Sequence, residues 1–274
     1  MITVILSFLL AANPFIITDE DEVIEKLSQE DFMMSYLDSP FINNQKLELQ
    51  MEVLTEKIYK DPINARLADN GRIIKEKPGL TLDRLKFKKQ FYDYFYNGED
   101  RAVEVPKRKI YPRVDSELIS EIREKELGSY VTYFKSGNKE RTHNISLAAE
   151  AIDNHVVFPG ETFSFNKVVG KRTKERGYKR APVIVRGELS EDYGGGICQV
   201  SSTLFNAVEL RGIKIVERYS HSRSVPYVPP GRDATVSWYG PDFVFKNKYN
   251  QPILIRAFAK NGQMVIKILS SDSL

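Results

Sequence analysis

Apolar residues recur at helical spacing in two segments of the second half of the chain, and each segment predicts an amphipathic helix. The first is "NISLAAEAIDNHVV", and its apolar positions are Ile145, Ala148, Ala149 and Ile152. The second follows the stretch "GGGICQ", with apolar positions Val200, Leu204 and Val208 and a stop at Gly212.

The remaining patterns of this half predict strands. "APVIVRGEL" and "IKIVERYSHSRSV" are extended segments, and "YVPPGRDATVSWYG" is a turn followed by a strand. "DFVFKNKYNQPILIRAFAKNGQMVIKIL" predicts consecutive strands, with Asn261-Gly262 as a tight hairpin turn.

The first half predicts a smaller mixed unit. "KLELQMEVL" alternates and predicts a strand, with Leu47, Leu49, Met51 and Val53 on one face. Asn70-Gly71 predicts a hairpin. "LTLDRLKFKKQFYDYFYNG" predicts a helix that closes at Asn97-Gly98, and "SELISEIREKELG" a connecting helix that ends at Gly128.

These patterns predict an α+β protein in which a small N-terminal α+β module, residues 19–127, precedes a larger domain, residues 128–274. The larger domain is a mixed, mainly antiparallel sheet with a few helices. Residues 1–18 contain an apolar run from Ile2 to Ala12, which is too short to cross a bilayer unaided. We interpret it as a signal peptide or membrane anchor; the alternative is a buried first strand or helix.

Composition is typical of a folded protein, with 42% hydrophobic and 28% charged residues. Residues 1–127 hold 19 Lys and Arg against 24 Asp and Glu, and residues 128–274 hold 21 against 13. The basic second half favours an anionic environment such as a bacterial wall, and without zinc-knuckle spacing or a dense basic stripe we expect no nucleic-acid partner. One cysteine, Cys198, excludes an internal disulfide and a cysteine-rich metal cluster. The cysteine chemistry considered below requires no metal and no cofactor.

The cysteine stands behind three glycines, Gly194, Gly195 and Gly196, at the start of a predicted helix. Unpaired N–H groups from this turn through Ile197, together with the helix dipole, would favour a thiolate at Cys198 and an oxyanion formed by its attack on a carbonyl. The alternative is a small buried cysteine beside glycines that permit close packing.

A nucleophilic cysteine needs a base. His221, on an extended segment, is the best candidate, because His143 lies in a polar loop and His155 follows a helix end. In "PPGRDA", Arg232 can bind a substrate carboxylate, or it can close the turn by pairing with Asp233. Gln199, Ser201 and Ser202 lie in the first helical turn, either as caps or as hydrogen-bond partners of a substrate; no G-x-S-x-G context supports a serine nucleophile.

Several ordered motifs over residues 128–269 together resemble the VanW family: "FPGETFSFNKVVGKRTKERGYKRAPVIVRGEL", "GGGICQVSSTLFNAV", "IVERYSHSRSVPYVPPGRDATV" and "DFVFKNKYNQPILI". Upstream, "DPINARL" and "KEKPGLTLDRL" resemble a small peptidoglycan-binding-type module. The resemblance implies an extracytoplasmic cell-wall or membrane-associated protein of Gram-positive bacteria. It also implies an L,D-transpeptidase with Cys198 as nucleophile and His221 as its histidine, acting on peptidoglycan stem peptides.

The leading hypothesis is therefore an enzyme that forms 3-3 cross-links through a Cys198 thioester, with Arg232, Gln199, Ser201, Ser202 and Asp233 as candidate substrate contacts. The alternatives are a non-catalytic protein that binds the wall or anionic wall polymers, and a cysteine hydrolase of the same stems. Membrane contact is expected only through the N-terminal segment.

Overall fold

The computed structural model describes residues 14–34, 41–98, 102–185 and 188–273. The chain divides into two compact units, one formed by residues 1–64 and 76–113 and the other by residues 65–75 and 114–274. The helices of the described residues are α1 (Asn44–Ile58), α2 (Arg84–Asn97), α3 (Ser116–Ile122), α4 (Lys139–Ile152), α5 (Phe165–Val169) and α6 (Ile197–Val208), with a 3-10 turn at Glu30–Phe32.

The strands of the first unit are β1 (Phe15–Asp19), β2 (Glu22–Leu27), β5 (Gly79–Leu82), β6 (Ala102–Glu104) and β7 (Lys107–Ile110). Those of the second unit are β3 (Arg66–Leu67), β4 (Ile73–Ile74), β8 (Lys125–Tyr133), β9 (His155–Val157), β10 (Thr162–Ser164), β11 (Arg180–Val185), β12 (Glu188–Tyr193), β13 (Ile213–Glu217), β14 (Val244–Asn247), β15 (Ile253–Lys260) and β16 (Gln263–Ser270). The mixture of helices and mainly antiparallel strands confirms the α+β class.

In the first unit, α1 and α2 pack with the sheet β2-β1-β6 around an aromatic core. Helix α2 begins at the N-cap Asp83, whose side chain accepts from the Lys86 N–H, and ends at Gly98 in the left-handed region, as its sequence predicted. Phe15 of β1 is fully buried and stacks on Tyr94 of α2. This burial ties the first described strand to the helices.

The strand predicted over "KLELQMEVL" is wrong, because these residues form helix α1. Leu47 and Met51 are buried, as either pattern requires, but Leu49 and Val53 are exposed. The buried face continues through Leu54 and Ile58, which follows the 3.6-residue period of a helix. Leu47 and Met51 are four residues apart and share a face in a strand as well as in a helix. Only the longer segment distinguishes the two structures.

In the second unit, the sheet β8-β16-β15-β9 is antiparallel throughout and is covered by α4 and α6. Helix α4 buries Ile145, Ala148, Ala149 and Ile152, the face its pattern predicted. A second sheet, β10-β14-β13, contributes Phe163 and Phe245 to the same core. Helix α6 lies across this core with almost every residue buried, and this fixes the position of its first turn.

Three local predictions in this unit are corrected. Helix α3 ends at Ile122 rather than at Gly128, and strand β8 then runs through Gly128. An alanine methyl group at Gly128 would lie 2.7 Å from the Ala207 carbonyl oxygen, so this glycine allows β8 to approach α6 closely. The segment after the turn at Gly231 is not a strand, and His221 lies in a loop beyond the end of β13.

The hairpins predicted at Asn70-Gly71 and Asn261-Gly262 are confirmed as β3-β4 and β15-β16. The first belongs to the second unit, although the sequence placed it in the N-terminal module. Of the predicted signal or anchor, residues 1–13 lie outside the described residues, and residues 15–18 belong to the buried strand β1. None of the described helices is both long and apolar enough to span a bilayer.

Candidate functional site

The glycine run gives the chain a sharp entry into α6. Gly194 and Gly196 have φ values of 87° and 106°, a region that side chains other than glycine rarely adopt. Between them, an alanine methyl group at Gly195 would lie 2.5 Å from the Ala181 carbonyl oxygen. The glycines therefore allow close packing, as the alternative interpretation expects. They also lead directly into α6, of which Cys198 is the second residue.

The main-chain N–H groups at this helix start are partly used. Ile197 donates to the Gly194 carbonyl at 3.2 Å, and Gln199 donates to the Gly196 carbonyl at 3.0 Å. Cys198 is the second residue of α6, so its N–H lies in the first turn of the helix. Because the first N–H groups of a helix lack intrahelical acceptors, this donor next to the sulfur is suited to an oxyanion.

Cys198, His221 and Asp233 form one hydrogen-bonded series. Hydrogen bonding and charge from the His221 side chain act on the Cys198 thiol, whose sulfur also donates to the Val236 carbonyl at 3.5 Å. On its other side, Nδ1 of His221 lies 2.6 Å from Asp233 Oδ2, which also accepts from the His221 main-chain N–H at 2.6 Å. The imidazole and the carboxylate are 5% and 8% exposed, so the pair is nearly removed from water. Asp233, predicted as a substrate contact, is thus the residue that orients the histidine.

Electrostatics favour the ionised form of this series. Burial alone would keep Cys198 neutral, but the hydrogen bond and charge of His221 outweigh it and lower the pKa of the thiol. Burial likewise disfavours the imidazolium, yet Cys198 and Asp233 outweigh it and raise the pKa of His221. Burial alone would raise the pKa of Asp233, but its hydrogen bonds from His221 hold that pKa below the usual value. The arrangement supports a thiolate–imidazolium pair.

Ser201 and Ser202, in the second turn of α6, hold the loop against the helix. Ser201 Oγ donates to the Ala234 carbonyl at 2.5 Å. Ser202 Oγ donates to the Cys198 carbonyl at 2.7 Å and accepts from the Ala234 N–H at 2.9 Å. Both side chains are fully buried, so they position Asp233, the neighbour of Ala234, relative to the sulfur.

Two further predicted contacts are engaged within the protein. Gln199 is buried; its amide nitrogen donates to Thr132 Oγ1 at 2.9 Å, and its amide oxygen accepts from Arg141 at 2.7 Å. Arg232 donates to Glu209 at 2.5 Å and to Asn206 at 2.7 Å. The predicted pairing of Arg232 with Asp233 is therefore replaced by an ion pair with Glu209.

Three residues that the sequence did not single out interact electrostatically with Cys198. Arg141 and Arg172 both interact electrostatically with Cys198, and burial lowers the pKa of each guanidinium. Burial raises the pKa of Tyr227, which interacts with Cys198 and hydrogen-bonds Ser202. Arg172 and Tyr227 lie within motifs that resemble the VanW family, but the sequence did not connect these two residues or Arg141 with Cys198.

The other histidines lie elsewhere. His143 Nε2 is 2.8 Å from the Gly177 carbonyl oxygen, and the His155 ring packs edge-on against Phe163. Among the described residues, no three His, Cys, Asp or Glu side chains form a group that could hold a metal ion. The Cys198–His221–Asp233 series is chemically equipped for attack on a carbonyl and for proton transfer to a leaving group.

Comparison with known proteins places this site inside a family domain. The family model described as "VanW like protein" matches residues 140–269. The chain is 57% identical over 256 residues to a Bacillus subtilis (strain 168) protein described as uncharacterized protein YoaR, covering 93% of this chain and 84% of that protein. It is 34% identical over 83 residues to the vancomycin B-type resistance protein VanW of Enterococcus faecalis (strain ATCC 700802 / V583), covering 30% of each. No solved structure matches significantly. The chain belongs to the VanW family.

Proposed function

We propose that this protein is an extracytoplasmic, cysteine-dependent L,D-transpeptidase that forms 3-3 cross-links between peptidoglycan stem peptides. The observation that carries the proposal is the hydrogen-bonded Cys198–His221–Asp233 series at the start of α6. The E. faecalis relative is named for vancomycin resistance, which supports a role at the cell wall. The basic character of residues 128–274 suits an anionic wall.

The first half-reaction forms a thioester. The Cys198 thiolate attacks the carbonyl that follows the third stem residue, and the N–H of Cys198 stabilises the oxyanion. The His221 imidazolium gives its proton to the departing nitrogen, the carbon–nitrogen bond breaks, and the terminal D-residue leaves as a free amine. Asp233 holds the ring in place while it becomes neutral.

The second half-reaction transfers the acyl group. The neutral side-chain amine of an acceptor stem attacks the thioester carbonyl, and the neutral His221 takes the amine proton. The carbon–sulfur bond then breaks and restores the thiolate–imidazolium pair. The same groups serve both steps, and neither step needs a redox partner.

The test incubates the full chain with tetrapeptide-stem muropeptides and follows products and intact protein by mass spectrometry. We expect 3-3 cross-linked dimers, a released D-residue and an acyl adduct on Cys198. Cys198→Ala abolishes all three, whereas His143→Gln, which changes a histidine bonded to the Gly177 carbonyl, leaves them intact. Folded protein that gives neither adduct nor dimer refutes the proposal. An uncross-linked tripeptide stem instead indicates hydrolysis, with water in place of the acceptor amine.

Wall binding without catalysis is the second candidate, and the excess of Lys and Arg in residues 128–274 favours it. Under this function the N-terminal unit and the basic unit hold glycan or anionic polymer, and the thiol has no role. Cys198→Ala then retains full binding to isolated cell walls and full biological activity. Loss of activity with retained binding in this variant decides for the enzyme.

A further inference from the structure

Arg172 carries a buried guanidinium with unused donors. Its two terminal nitrogens, Nη1 and Nη2, are shielded from water, and neither has a hydrogen-bond partner among the described residues. The guanidinium carbon lies 5.8 Å from the centre of the Phe165 ring, over an apolar face. A buried charge without a partner is costly, so a site that keeps one is suited to an anion.

Arg172 packs against the turn that leads into α6. Its aliphatic stem packs on the glycine run, since an alanine methyl group at Gly194 would lie 2.8 Å from Arg172 Cγ. The guanidinium also interacts electrostatically with Cys198. The chain thus places this cation beside the turn that starts α6, within the electrostatic range of the sulfur.

The charges around the sulfur favour an added anion. Arg172 interacts electrostatically with Asp242, but that carboxylate already accepts from Ser164 and from the Asn166 and Phe243 N–H groups. Arg176 adds a second positive charge nearby.

The other arginines near the site are committed elsewhere. Arg141 donates to Gln199 at 2.7 Å, and Arg232 is bound to Glu209 and Asn206. A guanidinium recognises a carboxylate through two parallel donors, and within the described ranges both terminal nitrogens of Arg172 lack a hydrogen-bond partner.

We propose that Arg172 is the residue that binds a carboxylate of the acyl donor, so that the site selects stems with a free carboxylate next to the scissile bond. This inference rests on the proposed function for the identity of the donor. The preference for an anionic partner beside Cys198 rests on Arg172 and its surroundings alone, and it can be tested without peptidoglycan.

The test compares two alkylating reagents of nearly equal shape, iodoacetate and iodoacetamide, on Cys198 of the full chain. The ratio of their rates cancels any change in thiolate fraction, because both reagents attack the same thiolate. We expect Arg172→Gln to lower the iodoacetate-to-iodoacetamide ratio about tenfold, the effect of one charged hydrogen bond. Arg172→Lys, which keeps the charge but loses the fork, falls between the two.

The matched control is Arg180→Gln, which removes an exposed guanidinium that donates to the Glu191 carbonyl and leaves the ratio unchanged. A ratio that is the same in wild type and Arg172→Gln overturns the proposal, as does a fall caused by Arg232→Gln instead. If Arg172→Gln does not fold, the wild-type ratio is compared with that of the urea-unfolded chain. A higher ratio in the folded protein supports the proposal, and an equal or lower ratio overturns it.

A peptide experiment separates this inference from the proposed function. Donor tetrapeptides ending in a free carboxylate are compared with the same peptides ending in a carboxamide, and the rate of Cys198 acylation is measured. We expect the carboxamide to react about tenfold more slowly with wild type and to show no such difference with Arg172→Gln. Acylation that ignores the terminus refutes the Arg172 role and leaves the transpeptidase standing. If the reagent ratio depends on Arg172 but no peptide acylates Cys198, the preference for an anion beside Cys198 is supported and the transpeptidase is refuted.

Discussion

Asp233→Asn removes the negative charge behind the imidazole while keeping nearly the same side-chain shape. In the wild-type protein, Asp233 Oδ2 lies 2.6 Å from both the main-chain nitrogen and Nδ1 of His221. An asparagine oxygen can still accept from the main chain. It cannot compensate a positive ring, so the imidazolium loses its buried counter-charge and the Cys198 thiolate loses stabilisation in turn.

The size of the effect follows from the burial of the pair. The two side chains are 5% and 8% exposed, so water screens their interaction only weakly. A hydrogen bond between charged groups contributes roughly 1.5–3 kcal/mol. At about 1.4 kcal/mol for each pKa unit, the pKa of His221 falls, and the apparent pKa of Cys198 rises, by about one to two pH units.

The assay is the rate of Cys198 alkylation by iodoacetamide between pH 5 and pH 10, read by mass spectrometry. At pH 6 we expect the variant to react roughly 10- to 100-fold more slowly than wild type, because fewer sulfurs are ionised. Above the pKa of an ordinary thiol the two rates converge.

The control for this assay is Asp115→Asn. It removes a carboxylate from the same unit but keeps an N-cap acceptor for Leu118, whose N–H lies 2.8 Å away. Superimposable profiles for wild type and Asp233→Asn would show that Asp233 does not control the ionisation of the pair.

Two packing predictions concern stability in urea. Gly195→Ala forces a methyl group to within 2.5 Å of the Ala181 carbonyl oxygen and lowers the free energy of unfolding by about 1–3 kcal/mol, whereas Gly137→Ala enters open space and stays within about 0.5 kcal/mol of wild type. Leu47→Ala leaves a cavity at a fully buried position of α1 and lowers the free energy of unfolding by about 2–5 kcal/mol. Leu49 is 62% exposed, and Leu49→Ala lowers the free energy of unfolding by less than about 0.5 kcal/mol. Equal losses at Leu47 and Leu49 contradict the helix, and a fully stable Gly195→Ala protein contradicts the close approach of the glycine run.

Local signals predicted the elements that depend on neighbours in the chain. Helix α4 and helix α6 were predicted because their apolar residues repeat along one face, and the hairpin at Asn261-Gly262 because its turn needs a left-handed residue. Helix α1 was mistaken for a strand, because Leu47 and Met51 share a face at the two-residue period of a strand and also at the 3.6-residue period of a helix. Its neighbours Leu54 and Ile58 resolve the ambiguity once the whole segment is considered.

For the candidate site too, the sequence predicted what depends on neighbours in the chain and missed the contacts between distant residues. The sequence by itself determined that the single cysteine follows a glycine turn and begins a helix, and it selected His221 from three histidines. It offered Arg232 either as the residue that binds a substrate carboxylate or as the partner of Asp233 in the turn, and it left open which residue orients the histidine. Chain order contains no information on these contacts, because they join positions that only folding brings together.

Tertiary structure decided the partners and therefore the charge states. Asp233 lies against His221, and Ser201 and Ser202 bind the neighbouring Ala234 to α6. Arg232 forms an ion pair with Glu209. The stem of Arg172 packs against Gly194 of the glycine run, a contact that chain order does not predict. Residue identity determines which groups can ionise, but burial and distance determine which of them do, and both are properties of the folded chain.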